Sequence, residues 1–201
     1  MHIVCSDLEG VFVPEVWINV AEKTGIPELR LTTRDISDYD VLMKQRLSIL
    51  RENGLKLKNI TDVIATMEPL EGALDFLDWL RAAAQLIVVS DTYAEFARPL
   101  MQKLGWPTLF CHSLTLDSDG GIADYRLRMQ DGKRRTVQAL HDLNYRVIAM
   151  GDSYNDIKML QEADRGILFR PPDNVKNEFP EFQAVYEYRD LKAMMQEVLQ
   201  S

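Results

Sequence analysis

Cysteine is scarce: two in 201 residues. Cys5 and Cys111 each lie in an apolar run and lack Cys-x-x-Cys spacing, which argues against a zinc or dithiol redox site. Both read as buried thiols in a reducing cytosol. A basic surplus is also missing, because 23 Lys and Arg face 31 Asp and Glu for a net charge of −8. Such a balance argues against a nucleic-acid partner, although a local cluster can still hold a small phosphorylated ligand. No apolar run approaches the length of a membrane span, and the N-terminus has no charged segment leading into a hydrophobic one. The chain is therefore expected to be cytoplasmic, with no membrane partner. Two nucleotide signatures are absent as well. No Gly-x-Gly-x-x-Gly follows a strand, and Gly132-Lys133 continues with Arg134 without the earlier glycine of a P-loop.

What is present is a regular alternation of apolar strands and amphipathic helices. Residues 3–8 read as a first strand, and 86–89, 146–150 and 166–169 as further apolar strands, of the kind a parallel sheet covers on both faces. A strand pair over 108–116 and 122–129 is joined by Asp117-Ser118-Asp119-Gly120-Gly121, a hairpin signal. Helices are expected over 72–84 (with Leu74, Leu77, Trp79 and Leu80 as its apolar residues), 93–104, 133–143 and 191–199, with a further one ending near Glu162. Residues 14–68 hold three helical patterns, near 15–23, 38–52 and 60–67, and no convincing strand. The expected fold is α/β: a Rossmann-like, doubly wound parallel sheet with a small helical cap inserted after the first strand. The core would be 1–13 with 69–201, and the cap 14–68.

In such a sheet, ligands bind outside the carboxyl ends of the strands. The first strand ends in Asp7-Leu8-Glu9-Gly10-Val11, where Asp7 and Glu9, two apart, leave on one side. Two acids so close repel unless a proton or a hard divalent cation relieves them. A later strand ends in Ser90-Asp91-Thr92 and another in Gly151-Asp152-Ser153-Tyr154-Asn155-Asp156, while Lys133 opens a helix. Taken singly, Ser90 is a turn residue, Lys133 belongs to a solvated run with Arg134 and Arg135, and 152–156 is a loop with a helix cap. Their order and spacing join them. Carboxylates, a hydroxyl and an ammonium together suit phosphoryl transfer through an aspartyl-phosphate on Asp7. Mg²⁺ on Asp7 and Asp152 would offset the repulsion between phosphate and carboxylate. Glu9 would protonate the leaving alkoxide and then take a proton from water.

One position on the second helix also carries information. Ile36, Tyr39, Leu42, Met43, Leu47, Ile49 and Leu50 share a helical stripe, and Arg46 falls in its middle. A charge there either snorkels to solvent or pairs with an anion.

Asp-x-Glu-Gly-Val, an apolar strand ending in Ser, a downstream Lys and Gly-Asp-Ser-x-Asn-Asp resemble, as an ordered set, the four motifs of the haloacid dehalogenase-like phosphatases. The likeness spans nearly the whole chain, and the inserted helices resemble the small cap of the phosphoserine phosphatases, including a branch that also transfers phosphate to homoserine. The resemblance implies phosphoserine, and with it homoserine, as small-molecule substrates, Mg²⁺ as cofactor, and a homodimer as a plausible assembly. It also implies that Asp7, Glu9 (through its backbone carbonyl), Asp152 and Asp156 serve the metal. Ser90, Asp91, Thr92, Lys133 and Asn155 would bind or order the phosphoryl group. Arg46 would clamp the substrate carboxylate, Glu15 would meet its ammonium group, and Met43 would line the pocket. Most members carry Asp where this chain has Glu9. The rival outside enzymology is a receiver-like phospho-acceptor domain, which would have adjacent acids after its first strand and no inserted cap. A second rival keeps the fold and acts on another small phosphomonoester.

Overall fold

A computed structural model describes residues 1–32, 35, 36 and 38–200; Thr33, Arg34 and Ser37, in the polar approach to the second helix, and Ser201 lie outside them. In chain order, strand β1 (His2–Ser6) is followed by helices α1 (Val16–Thr24), α2 (Tyr39–Glu52), α3 (Leu57–Ala65) and α4 (Ala73–Ala83). Then come β2 (Gln85–Tyr93), α5 (Ala94–Lys103), the pair β3 (Thr108–Leu116) and β4 (Ile122–Arg126), and α6 (Gly132–Asp142). The last part runs β5 (Arg146–Gly151), α7 (Ile157–Glu162), β6 (Arg165–Phe169), α8 (Asp173–Glu178), β7 (Gln183–Val185) and α9 (Tyr188–Leu199).

The strands form one seven-stranded sheet in the order β4-β3-β2-β1-β5-β6-β7. All neighbours are parallel except the β3–β4 hairpin. Strand order reverses beside β1, which pairs with β2 on one side and β5 on the other. That reversal opens a crevice at the carboxyl ends of β1 and β5, where this architecture places ligands.

Alternation along β1 explains the two layers. Ile3 and Cys5 face one hydrophobic layer, with Val137 and Leu140 of α6 and Ile157 and Leu160 of α7. Val4 faces the other, with residues of α4, α5, α9 and the inserted helices. Burial pushes the Cys5 thiol up to about 12, so it stays a packed, unreactive group. Among the described residues, no helix is long and apolar enough to cross a membrane.

Between β1 and β2 the described residues form helices and no strand, as the pattern predicts. Helix α1 buries Val16, Trp17, Val20 and Ala21, an apolar face at helical spacing. Helix α2 starts where Asp38 caps it, its Oδ1 accepting from the backbone N–H groups of Asp40 (2.9 Å) and Val41 (3.1 Å).

Three expectations shift. On α4, Leu74 is 44% exposed, and the buried face is Ala73, Phe76, Leu77 and Leu80, an i, i+3, i+4, i+7 set that leaves Leu74 on the outside. Strand β2 does not stop at Val89, because pairing with β3 resumes at Tyr93–His112 after a register shift, so Ser90, Asp91 and Thr92 sit on its irregular end. Helix α8 was not foreseen, being six residues long with only Val175 buried.

Candidate active site at the strand ends

Asp7 follows β1 directly, its N–H donating to the Met150 carbonyl at 2.9 Å, so the sheet's own pairing fixes it beside β5. Asp152 and Asp156 follow β5. Asp156 accepts from the backbone N–H groups of Asp152 (3.0 Å) and Ser153 (3.1 Å), which folds the loop back on itself. Each of Asp7, Asp152 and Asp156 offers a carboxylate oxygen within 4.8 Å of the others, and all three are buried. Lys133, from the first turn of α6 and also buried, places Nζ 2.7 Å from Asp156 Oδ1 and 3.0 Å from Asp7 Oδ1.

Two glycines make this packing possible. A Cβ on Gly10 would stand 2.4 Å from Asp152 Oδ2, and its backbone is left-handed at φ +73°. A Cβ on Gly151 would stand 2.3 Å from Asp156 Cγ.

The charge balance is uneven, with three carboxyl groups sharing one ammonium. Burial, then the neighbouring Asp156 charge, push the Asp7 carboxyl well above the usual range, against the pull of Lys133. Burial alone would lower Lys133, but Asp156, Asp7 and Asp91 outweigh it and hold the ammonium charged. An all-oxygen donor set with surplus negative charge fits a hard divalent cation such as Mg²⁺.

Glu9 is expected at the metal through its backbone carbonyl, and its side chain is engaged elsewhere. Its carboxylate is not in the three-acid group; Oε2 turns to the start of α1 and accepts the Val16 N–H at 2.7 Å. A glutamate has the extra methylene to reach that helix N-terminus, whose free N–H groups favour an acid. Burial and the neighbouring Glu15 nevertheless push the Glu9 carboxyl up to about 8.

A cavity of about 260 Å³ opens over Asp7, Glu9 and Asp152, while Lys133 lines a neighbouring cavity of about 810 Å³ and Asp156 lies beneath both. Asp7, Glu9, Ser90, Asp91, Thr92, Asp152 and Asn155 line the smaller one at the strand ends, with Glu15 just before α1, Trp17 of α1, and Tyr39 and Arg46 of α2. The smaller volume lies below the range typical of drug-sized ligands and suits a small, polar metabolite. Ser90 is buried, with its Oγ accepting from the Thr92 N–H at 3.2 Å. Asp91 accepts from Asn155 Nδ2 at 2.9 Å and lies 3.4 Å from His112 Nε2 and 3.8 Å from Lys133 Nζ. Its carboxyl is held below the usual range because Lys133, His112 and Asn155 outweigh burial.

Arg46 does not snorkel. It is 6% exposed, with Nη2 donating to the Leu31 carbonyl at 2.7 Å, and its Nε has no hydrogen-bond partner among the described residues. Met43 is not in the cavity lining. It is buried behind Arg46, its sulfur 3.6 Å from Nη1, because its place on the stripe turns it into the core. Trp17, Tyr39 and His112 were not singled out as site residues by the sequence. Helical spacing marked Trp17 and Tyr39 only as apolar, and His112 carries no signal in its local pattern.

Comparison with known proteins decides the family. A haloacid dehalogenase-like hydrolase model matches residues 8–164. The chain belongs to that family. It is 60% identical over 192 residues to phosphoserine phosphatase ThrH of Pseudomonas aeruginosa, covering 96% of this chain and 94% of that one. It is 59% identical over 192 residues to a phosphoserine phosphatase of Pseudomonas syringae pv. tomato, covering 96% and 81%. Among solved structures, this haloacid dehalogenase-like chain superposes on a phosphoserine phosphatase in apo form with a TM-score of 0.76 at 20% identity, covering 97% of this chain and 98% of that one. A phospho-aspartyl intermediate analogue of phosphoserine phosphatase gives 0.75 at 19% identity, covering 98% of each. At such identities the likeness speaks for the fold. The hydrolase family also sets aside the receiver-like alternative.

Proposed function

We propose that this chain is a Mg²⁺-dependent phosphoserine phosphatase working through an aspartyl-phosphate on Asp7, and that it also passes the phosphoryl group to homoserine. The observation that carries the reading is one small cavity lined both by Asp7 and Asp152 of an oxygen-only acid cluster and by a buried arginine whose Nε has no partner among the described residues. The first suits a phosphoryl group and the second a carboxylate. Two relatives near 60% identity carry the phosphoserine phosphatase name, which supports the substrate.

In this reading Asp7 attacks phosphorus as its P–O bond to the serine oxygen breaks, and Glu9 gives its proton to the departing alkoxide. Burial and Glu15 raise the Glu9 carboxyl toward the acid form that this step needs. Water then attacks the aspartyl-phosphate, Glu9 takes a proton back, and phosphate leaves as Asp7 regains its carboxylate. If the homoserine hydroxyl replaces water, the product is O-phosphohomoserine. Asp7, Asp152 and the Glu9 backbone carbonyl would hold Mg²⁺, with Asp156 placing its water, and the bound cation would offset phosphate charge. Ser90, Thr92 and Lys133 would hold phosphoryl oxygens, while Asp91 orders Lys133 and Asn155. Arg46, backed by Met43, would take the carboxylate and Glu15 the ammonium. Residues 14–68 would act as the substrate-selecting cap on a core of 1–13 and 69–201.

The test is phosphate release from O-phospho-L-serine with Mg²⁺ or EDTA, with and without homoserine, beside Asp7→Asn. Release that needs Mg²⁺ and vanishes in the variant supports the phosphatase, and O-phosphohomoserine among the products supports the transfer. Turnover of other monoesters but not phosphoserine would remove the Arg46–Glu15 assignment. Undiminished activity in Asp7→Asn would overturn the mechanism.

A further inference from the structure

Holding a buried guanidinium beside an acidic site raises a difficulty. Burial draws Arg46 down to about 10, still cationic at neutral pH. A carboxylate partner would be the ordinary stabiliser of such a group, yet it would occupy the donors a substrate carboxylate needs. Among the described residues, no acid comes within ion-pair distance of Arg46. Its guanidinium carbon instead lies over the Trp17 ring, 4.5 Å from the centroid.

An indole face attracts a cation through its quadrupole and carries no charge to neutralise it. Guanidinium has five N–H donors. One goes to the Leu31 carbonyl and one to the Met43 sulfur, while the Nε–H has no partner among the described residues. The ring is braced in turn. Trp17 meets Phe96 edge-on at 5.7 Å and 76°, and Phe96 meets Tyr93 at 5.6 Å and 90°, Tyr93 being the last residue of β2. The series Arg46–Trp17–Phe96–Tyr93 thus ties the arginine to the strand that carries Ser90.

Building on the assignment of Arg46 as carboxylate clamp, we propose that Trp17 is the specificity-determining positioning residue of the site. Its ring face holds the guanidinium in one orientation without occupying its donors in an ion pair, so that the enzyme prefers phosphomonoesters bearing a carboxylate. A plain packing residue would act differently, because its loss would slow every substrate alike.

The test compares O-phospho-L-serine with O-phosphoethanolamine, the same ester without the carboxylate, in wild type, Trp17→Phe and Trp17→Leu. Trp17→Leu should lower kcat/KM for phosphoserine about tenfold, mainly through KM, and leave phosphoethanolamine within about twofold. Trp17→Phe, which keeps a ring face, should retain most of the preference. Ring-fluorinated tryptophan, incorporated throughout the chain, preserves the shape and weakens the negative face; the preference should fall here too, which covers a Leu variant that does not fold. Equal losses on both substrates, or a preference unchanged by Leu or by fluorination, would overturn the role of Trp17. A wild type with no preference for phosphoserine would instead refute the carboxylate clamp, and this role with it.

Discussion

At Glu9, proximity to a helix N-terminus and burial pull in opposite directions. The Val16 N–H and the Arg46 charge favour the carboxylate, while burial and Glu15 oppose it and win, leaving the carboxyl near 8 against an ordinary 4.5. Folding therefore takes up a proton between those two values. The folded state binds more protons than the unfolded chain there, so this group's contribution to stability is fully present below pH 4.5, declines as pH rises, and is gone above about 8. Glu9→Gln keeps an acceptor for Val16 and removes the titration. Urea midpoints in EDTA, measured from pH 5 to pH 9, should show the variant gaining on wild type up to about pH 8 and then running parallel. A constant difference across that range would contradict the raised carboxyl. EDTA matters, because a divalent ion beside Asp7 would favour the ionised form.

Among the elements, the contacts of α2 and α3 with the end of β2 and with the β3–β4 hairpin fix how Arg46 approaches the strand ends. The Tyr39 hydroxyl donates to the Asp91 carbonyl at 3.1 Å and shares a 2.7 Å bond with the Tyr93 hydroxyl. The Tyr125 hydroxyl donates to Asp40 Oδ1 at 2.6 Å, and the Leu57 N–H to the Gly120 carbonyl at 3.1 Å. Tyr39→Phe keeps the ring and removes both hydroxyl bonds, which should cost about 1–2 kcal/mol. Hydrogen exchange should quicken in the first turn of α2 and not in α6; uniform quickening would mean that the contact is not local. Much of this element was legible beforehand. The hairpin showed in its Asp and Gly turn, α2 in its apolar stripe, and the strand-end acids in their motifs. That the Tyr39 and Tyr125 rings meet edge-on, 5.8 Å apart, was not legible, since local periodicity says nothing about residues so far apart in sequence. Nor was the role of Trp17, because a ring lining a cavity and a ring filling a core follow the same helical spacing. The turn of Glu9 toward α1 depended on side-chain direction, which a motif does not fix.

For the molecule as a whole, the charge is concentrated where folding brings it. Asp7, Asp152 and Asp156 meet only because β1 and β5 pair, so the unfolded chain holds no equivalent donor set. A divalent cation should therefore bind the folded state almost exclusively and stabilise it by mass action, about 2.7 kcal/mol at one hundred times its Kd. For a chain of 201 residues, each kcal/mol moves Tm by about 2–4 °C, so near-saturating Mg²⁺ should raise it by about 5–10 °C and EDTA should reverse the gain. The net charge of −8 introduces a competing effect, since any salt that screens self-repulsion also stabilises. Two controls separate them. KCl at matched ionic strength should give only a small rise, and Asp152→Asn should lose most of the Mg²⁺-specific part while keeping the KCl response. Equal shifts from KCl and Mg²⁺ would mean general screening rather than a metal site, and an undiminished Mg²⁺ shift in Asp152→Asn would place the ion elsewhere.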